Sequence, residues 1–199
     1  MSNSFSNLAA GLSPGIIGNL ASLGYHEMTP IQAESLPHIL SGKDVIGQAR
    51  TGSGKTAAFG LGLISMLDTR IFDVQALVLC PTRELADQVA KAIRRLARAT
   101  PNVKILSLCG GVPFRPQAAS LKYGAHIVVG TPGRIEDHLR KQTLDLDAVK
   151  VLVLDEADRM LDMGFQDSIE NIIEQIPQQR QTLLFSATFP DSIHSVASS

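Results

Sequence analysis

No apolar run in these 199 residues approaches the roughly 20 that a membrane-spanning helix needs. The N-terminal Met1–Asn7 carries no basic stretch leading into an apolar one, so a secretory leader is not expected. Cysteine is nearly absent. Cys80 and Cys109 each end an apolar run, which predicts buried, reduced thiols in a cytoplasmic protein rather than a disulfide or redox pair. Charge of either sign is also lacking in excess: 18 basic against 19 acidic residues leave a net charge of −1 and a pI near 6.5. A broad basic surface is thereby excluded, and any nucleic acid must be held by a few placed groups. Internal repeats and low-complexity tracts are missing too. With 44% apolar and 19% charged residues, the composition is that of one globular α/β domain with a full core.

The densest information lies in Ala49-Arg50-Thr51-Gly52-Ser53-Gly54-Lys55-Thr56. This stretch follows the apolar Val45-Ile46 and precedes a helix-like run to Leu67. A strand, a Gly-rich turn and a helix opening on Gly-Lys-Thr together form a cradle for a nucleoside triphosphate. Backbone N–H groups and the helix dipole face the phosphates. Lys55 supplies a point charge to the β/γ-phosphates, and the Thr56 hydroxyl is placed to ligate Mg²⁺. Ala49 stands where the general loop pattern has its first glycine.

Six short apolar runs recur, at residues 44–47, 76–80, 104–108, 126–129, 151–154 and 182–185. Helix-like stretches at 13–23, 29–40, 54–67, 84–99, 134–141 and 166–176 flank or separate them. In 84–99, Leu85, Val89, Ala92, Ile93 and Leu96 share one face, and Lys91, Arg94, Arg95 and Arg98 take the other. Nearly continuous apolar strands alternating with helices predict a mostly parallel sheet with helices on both faces. Ligands then gather at the C-terminal ends of the strands.

Each run is followed by residues with chemistry. Asp155-Glu156-Ala157-Asp158 follows the fifth. Asp155 suits Mg²⁺, directly or through water, and Glu156 suits a base that orients or deprotonates the attacking water. Pro81-Thr82-Arg83 follows the second run, Gly110-Gly111 the third, Thr131-Pro132-Gly133-Arg134 the fourth, and Ser186-Ala187-Thr188 the sixth. Arginines, hydroxyls and helix-start N–H groups suit a sugar–phosphate backbone without reading bases; on spacing alone, helix capping explains the same residues better.

Taken together and in this order, these motifs resemble the N-terminal RecA-like domain of a DEAD-box ATP-dependent RNA helicase, from about Phe5 onward. In that family Ala is usual where other phosphate loops carry Gly, so Ala49 becomes an identifier. The resemblance implies a RecA-like P-loop NTPase fold, with residues 1–40 as an N-terminal segment packed on the core and 41–199 as the ATP-binding domain. It implies that Gly24–Gln32 is a Q motif, in which Gln32 meets the adenine N6/N7 edge, Tyr25 stacks on the base, and Phe5 is the upstream aromatic. It further implies that Pro81, Thr82, Arg83, Gly110, Gly111, Thr131, Pro132, Gly133 and Arg134 line an RNA backbone path. Ser186 and Thr188 would bond Asp158 and couple nucleotide state to RNA. Lys55, Asp155 and Glu156 become the catalytic set; Ala49, Thr51, Gly52, Ser53, Gly54, Lys55 and Thr56 hold ATP or ADP; Thr56 and Asp155 hold Mg²⁺.

Stretches 56–61 and 76–88 are similar to the family's bacterial DbpA subgroup, which is linked to large-subunit ribosomal RNA. The resemblance also implies a second RecA-like domain beyond Ser199, opening the expectation of an Arg-rich His-Arg-x-Gly-Arg stretch there. A non-catalytic RNA- or protein-binding module and a DNA-directed helicase remain as other readings; intact Lys55, Asp155 and Glu156 weigh against the first.

Overall fold

A computed structural model describes residues 4–8 and 11–188; the Ser-rich end lies outside them. Six strands form one sheet in the order β1-β6-β5-β2-β4-β3. They are β1 (Val45–Gln48), β2 (Ala76–Leu79), β3 (Ile105–Leu108), β4 (Ile127–Gly130), β5 (Val151–Asp155) and β6 (Gln181–Ser186). Every pairing is parallel. All six apolar runs therefore became strands, and all six C-terminal ends lie along one edge.

Alternation of side chains across the pleat splits the core in two. Ala76, Val78 and Cys80 face one cluster; Leu77 and Leu79 face the other. On the first face lie α1 (Pro14–Ser22), α2 (Pro30–Leu40), α3 (Lys55–Met66) and α4 (Arg83–Leu96). On the second, Ile135 of α6 (Pro132–Arg140), Met160 of α7 (Ala157–Asp162) and Ile169 and Ile172 of α8 (Gln166–Ile173) are buried. The remaining helix, α5 (Phe114–Leu121), buries none of its residues fully.

Local chemistry sets the helix starts. Ser13 caps α1 by accepting from Ile16 N at 3.3 Å, and Thr82 caps α4 by accepting from Leu85 N at 3.3 Å. Pro30 and Pro132 open α2 and α6, where the missing N–H costs nothing. On α4 the buried side is Ala86, Val89, Ala90, Ile93 and Leu96. Close packing brings α2 against α3: a Cβ on Gly62 would lie 2.2 Å from Ile39, so the two helix axes approach only because that residue is glycine. Phe5, Leu12, Ile16, Leu20, Leu36 and Ile39 join the same cluster, which anchors the N-terminal segment on the sheet's first face.

The Cys80 thiol is pushed well up, first by burial and then by the Asp155 charge, and burial pushes Cys109 up to about 11. Both thiols are free and unreactive in this setting.

Candidate nucleotide site and strand-end surface

The loop between β1 and α3 runs beside the ends of β6 and β5. Gly52 and Gly54 hold φ of +82° and +93°. A Cβ on Gly54 would lie 2.6 Å from Gln32 Nε2, so glycine is required there by conformation and by space. Lys55, the first residue of α3, is 4% exposed. Its Nζ lies 2.7 Å from Asp155 Oδ1 and 3.7 Å from Glu156 Oε1. Asp155 ends β5, fully buried. Burial raises its pKa, against the attraction of Lys55.

Glu156 is a non-glycine residue in the left-handed region, with φ 54° and ψ 52°. Such strain persists only where surrounding contacts over-determine it. Here the Thr51 hydroxyl donates to Glu156 Oε1 at 2.7 Å and Arg159 Nη1 donates to Oε2 at 3.2 Å. Burial pushes the Glu156 pKa up, but the Thr51 bond, Lys55 and Arg159 outweigh it and hold the carboxyl below its ordinary value. It is therefore ionised at neutral pH.

The end of β6 ties these parts together. Ser186 O accepts from Ala49 N at 2.9 Å. The Asp158 N–H donates to Ser186 Oγ at 3.1 Å, and Ser186 Oγ donates to Thr188 O at 2.6 Å. Thr188 N and Oγ1 then donate to Asp158 Oδ2 at 3.0 and 2.9 Å. Burial opposes the Asp158 charge, but these donors lower its pKa overall.

Gln32 is 1% exposed. Its Oε1 accepts from Thr29 N at 2.9 Å and its Nε2 donates to Gly54 O at 3.0 Å, which links the N-terminal segment to the phosphate loop. Tyr25 is half-buried, and the ring of buried Phe5 meets it edge-on at 6.3 Å and 89°.

The family model for the DEAD/DEAH box helicase matches residues 29–196, from the Gln32 helix past the end of β6. The chain belongs to that family. It is 62% identical over 186 residues to the ATP-dependent RNA helicase DbpA of Escherichia coli K12, covering 94% of this chain and 41% of that protein. It is 51% identical over 187 residues to the DEAD-box ATP-dependent RNA helicase CshA of Bacillus cereus, covering 94% and 35%. A crystal structure of a DEAD box protein from the hyperthermophile Methanococcus jannaschii superposes with a TM-score of 0.92 at 42% identity, covering 98% of this chain and 53% of that one. The chain thus spans about two fifths or less of the curated relatives it matches, and its fold is the RecA-like one of the family. No described helix is long and apolar enough to cross a membrane.

The other strand-end residues divide by exposure. Arg83 is half exposed and 3.8 Å from Asp87, an i,i+4 pair of little energetic weight. Gly111 is exposed at φ +76°. Pro81 and Pro132 are buried, Thr82 caps α4, and Thr131 and Gly133 are half-buried at the start of α6. The Arg134 side chain is 12% exposed and is turned inward, where Nη1 donates to Val112 O at 3.0 Å and to Gln117 Oε1 at 2.9 Å. The motif reading passed over Gln117 and His138, which carry no motif spacing.

His138 is fully buried. Burial, then repulsion from Arg134, pushes its pKa down to about 4. The unfolded chain takes up this proton near pH 6.5. Between these values the unfolded state holds more protons, so the stability present above pH 6.5 is lost as pH falls toward 4. The loss from this one group is on the order of 2–3 kcal/mol at pH 4. Urea titrations of the His138→Phe chain should show a correspondingly shallower decline over pH 6.5 to 4, and parallel curves for the two chains would refute this.

Proposed function

We propose that this chain is the ATP-binding half of an ATP-dependent RNA helicase, in which ATP hydrolysis drives unwinding or remodelling of RNA duplexes. One observation carries the reading: Lys55, Asp155 and an ionised Glu156 converge on a glycine-shaped loop at the C-terminal edge of a parallel sheet. Phosphoryl transfer needs positioning and charge neutralisation, and these residues supply both.

The donor set fits Mg²⁺ and a phosphate chain. Asp155 Oδ2 and Ser53 Oγ are buried with no hydrogen-bond partner, which is costly unless a ligand uses them. Mg²⁺, held by Asp155 and Thr56, would neutralise charge on the β- and γ-phosphates. Lys55 binds the same oxygens, so it must exchange Asp155 for phosphate. Glu156 orients the attacking water and accepts its proton on the lone pairs that Thr51 and Arg159 leave free. Asp158, Ser186 and Thr188 bridge the DEAD segment to the end of β6, the route we assign to coupling.

For the base, Gln32 retains one amide N–H and one carbonyl lone pair beyond its two bonds to the chain. Adenine N7 and N6–H take that pair, and guanine does not complement it. Tyr25, braced by Phe5, supplies the stacking face. Gln32→Ala should cost about tenfold or more in ADP-over-GDP preference, the worth of a lost buried pair. Unchanged discrimination in a nucleotide titration would remove Gln32 from the base site.

Arg83, Gly110, Gly111, Thr131 and Arg134, on the ends of three neighbouring strands and their helices, are assigned to the RNA backbone, with Thr82, Gly133 and the buried Pro81 and Pro132 shaping the turns that carry them. Contacts of this kind are indifferent to base sequence. We assign ribosomal RNA as the target class, on the wording of residues 56–61 and 76–88 and the similarity to DbpA, and the cytoplasm as the compartment. We also propose that residues 1–40 serve as the adenine-side segment on a 41–199 core.

A second RecA-like domain would contribute arginine to the γ-phosphate, worth roughly 10³–10⁵ in rate. This 199-residue chain should therefore bind MgADP yet hydrolyse ATP slowly, with RNA-stimulated turnover appearing only in a longer two-domain chain. RNA-stimulated hydrolysis by the 199 residues alone, at a rate near that of the two-domain protein, would overturn the assignment.

A further inference from the structure

The connection between β3 and α5 carries a hydrogen-bond network that the nucleotide site does not use. Its carbonyls are gripped at both ends. Gln117 on α5 donates from Nε2 to Cys109 O at 3.1 Å. Arg134 on α6 donates from Nη1 and Nη2 to Val112 O at 3.0 and 3.1 Å. Gly110 and Gly111 lie between these grips. No atom lies within 4 Å of a Cβ built on Gly110, and one built on Gly111 would lie 3.9 Å from Arg83 Nη1. The Gly110 N–H reaches Thr131 Oγ1 at 3.5 Å, and the rest of the two glycines' backbone lies open beside an exposed guanidinium.

The rest of the network fixes Gln117. Its Oε1 accepts from Arg134 Nη1 at 2.9 Å and lies 3.1 Å from His138 Nε2. With its NH₂ on a carbonyl and its oxygen on a guanidinium, the amide has one allowed orientation. His138 then carries its proton on Nε2, donates to Gln117, and accepts at Nδ1 from the Thr143 hydroxyl at 2.8 Å. Phe114 stacks on the imidazole at 4.2 Å and 19°, and Lys141 Nζ sits 4.0 Å from the Phe114 ring centre. This assembly, packed around the buried His138, holds Arg134, and Arg134 holds the loop.

We infer that Gln117 and His138 are positioning residues which, through Arg134 and the Cys109 carbonyl, hold the Gly110–Gly111 loop in the shape that meets an RNA sugar–phosphate backbone. Two consecutive glycines are costly to order. A loop already held on both sides binds without meeting that cost at the moment of contact. The inference rests on the RNA reading above.

Three measurements on the 199-residue chain test it: ¹⁵N relaxation of Gly110, Gly111 and Val112, binding of a fluorescent single-stranded oligouridine at low salt, and binding of MgADP. In the unaltered chain the loop amides should show order parameters of about 0.85, falling below about 0.6 in Gln117→Ala. RNA affinity should drop about tenfold in Gln117→Ala with MgADP affinity unchanged, a split that general destabilisation would not give. His138→Phe keeps the stacking on Phe114 but loses the bond to Gln117, and should show the same split more weakly. Equal loop order and equal RNA affinity in Gln117→Ala would overturn the clamp while leaving the RNA reading intact. Failure of the unaltered chain to bind RNA despite an ordered loop would overturn the RNA reading and, with it, the purpose assigned to the clamp.

Discussion

Lys55→Ala should abolish measurable MgADP binding and at the same time destabilise the protein. The first effect follows from losing the point charge that faces the β- and γ-phosphates. The second follows from the 2.7 Å pair with Asp155, because both groups are buried. Removing one partner of a buried ion pair costs about 3–5 kcal/mol, which for a domain of this size lowers Tm by roughly 6–20 °C. The pH dependence carries a distinct sign. Without Lys55, the already raised pKa of Asp155 climbs further, so the folded state binds the proton more tightly than the unfolded one. The variant should therefore lose stability as pH rises above the ordinary carboxylate pKa. Lys55→Ala combined with Asp155→Asn should recover most of the stability and none of the nucleotide binding. If the double variant stays as unstable as the single one, the Lys55–Asp155 pair is not what holds this corner of the sheet.

Glu156→Gln should leave MgADP affinity within about twofold while lowering RNA-stimulated hydrolysis 10²–10⁴-fold in a chain that includes the second domain, the range for loss of a general base. Glutamine keeps the shape and can still accept one of the two bonds, from Thr51 or from Arg159, through its one oxygen, but it cannot take a proton from water. Because Glu156 is ionised well below neutrality, the rate should not fall as pH drops from 8 to 6 on its account. A Glu156→Gln enzyme hydrolysing within threefold of the unaltered one would remove this residue from the chemistry.

Much of this was legible in the sequence because strands buried on both faces announce themselves. Ala76–Leu79 and Ile127–Gly130 are covered above and below, so no polar alternation interrupts them. Helix α5 was not legible: Phe114–Leu121 buries no side chain fully and carries Pro116, so it shows no apolar stripe. Helix α7 is six residues long, too short for a period to register. The parallel sheet followed from alternation, but its strand order did not, since nothing in the local sequence says that β6 lies between β1 and β5.

The site divides the same way. Lys55 and Asp155 were brought together by the rule that ligands collect at strand ends. The Thr51–Glu156 bond spans 105 residues and has no local signature. The left-handed backbone of Glu156 is equally silent in sequence, because glutamate does not prefer it. The resemblance gave Gln32 only an adenine-side role; the structure gives half of its capacity to Thr29 and Gly54, which makes it a link between the N-terminal segment and the loop as well. The resemblance placed Arg134 on the RNA backbone path, and nothing local in the sequence showed that its side chain turns inward onto Val112 and Gln117.

On the proposed function, the 49–56 loop, Asp155 and Gln32 build an adenine-nucleotide site that uses Mg²⁺. Calorimetric titration of the 199-residue chain with ADP and with GDP, each with and without Mg²⁺, tests it most directly. One ADP site per chain is expected, tightened by Mg²⁺, with GDP at least about tenfold weaker. Absence of saturable ADP binding, or equal affinity for the two bases, would contradict it.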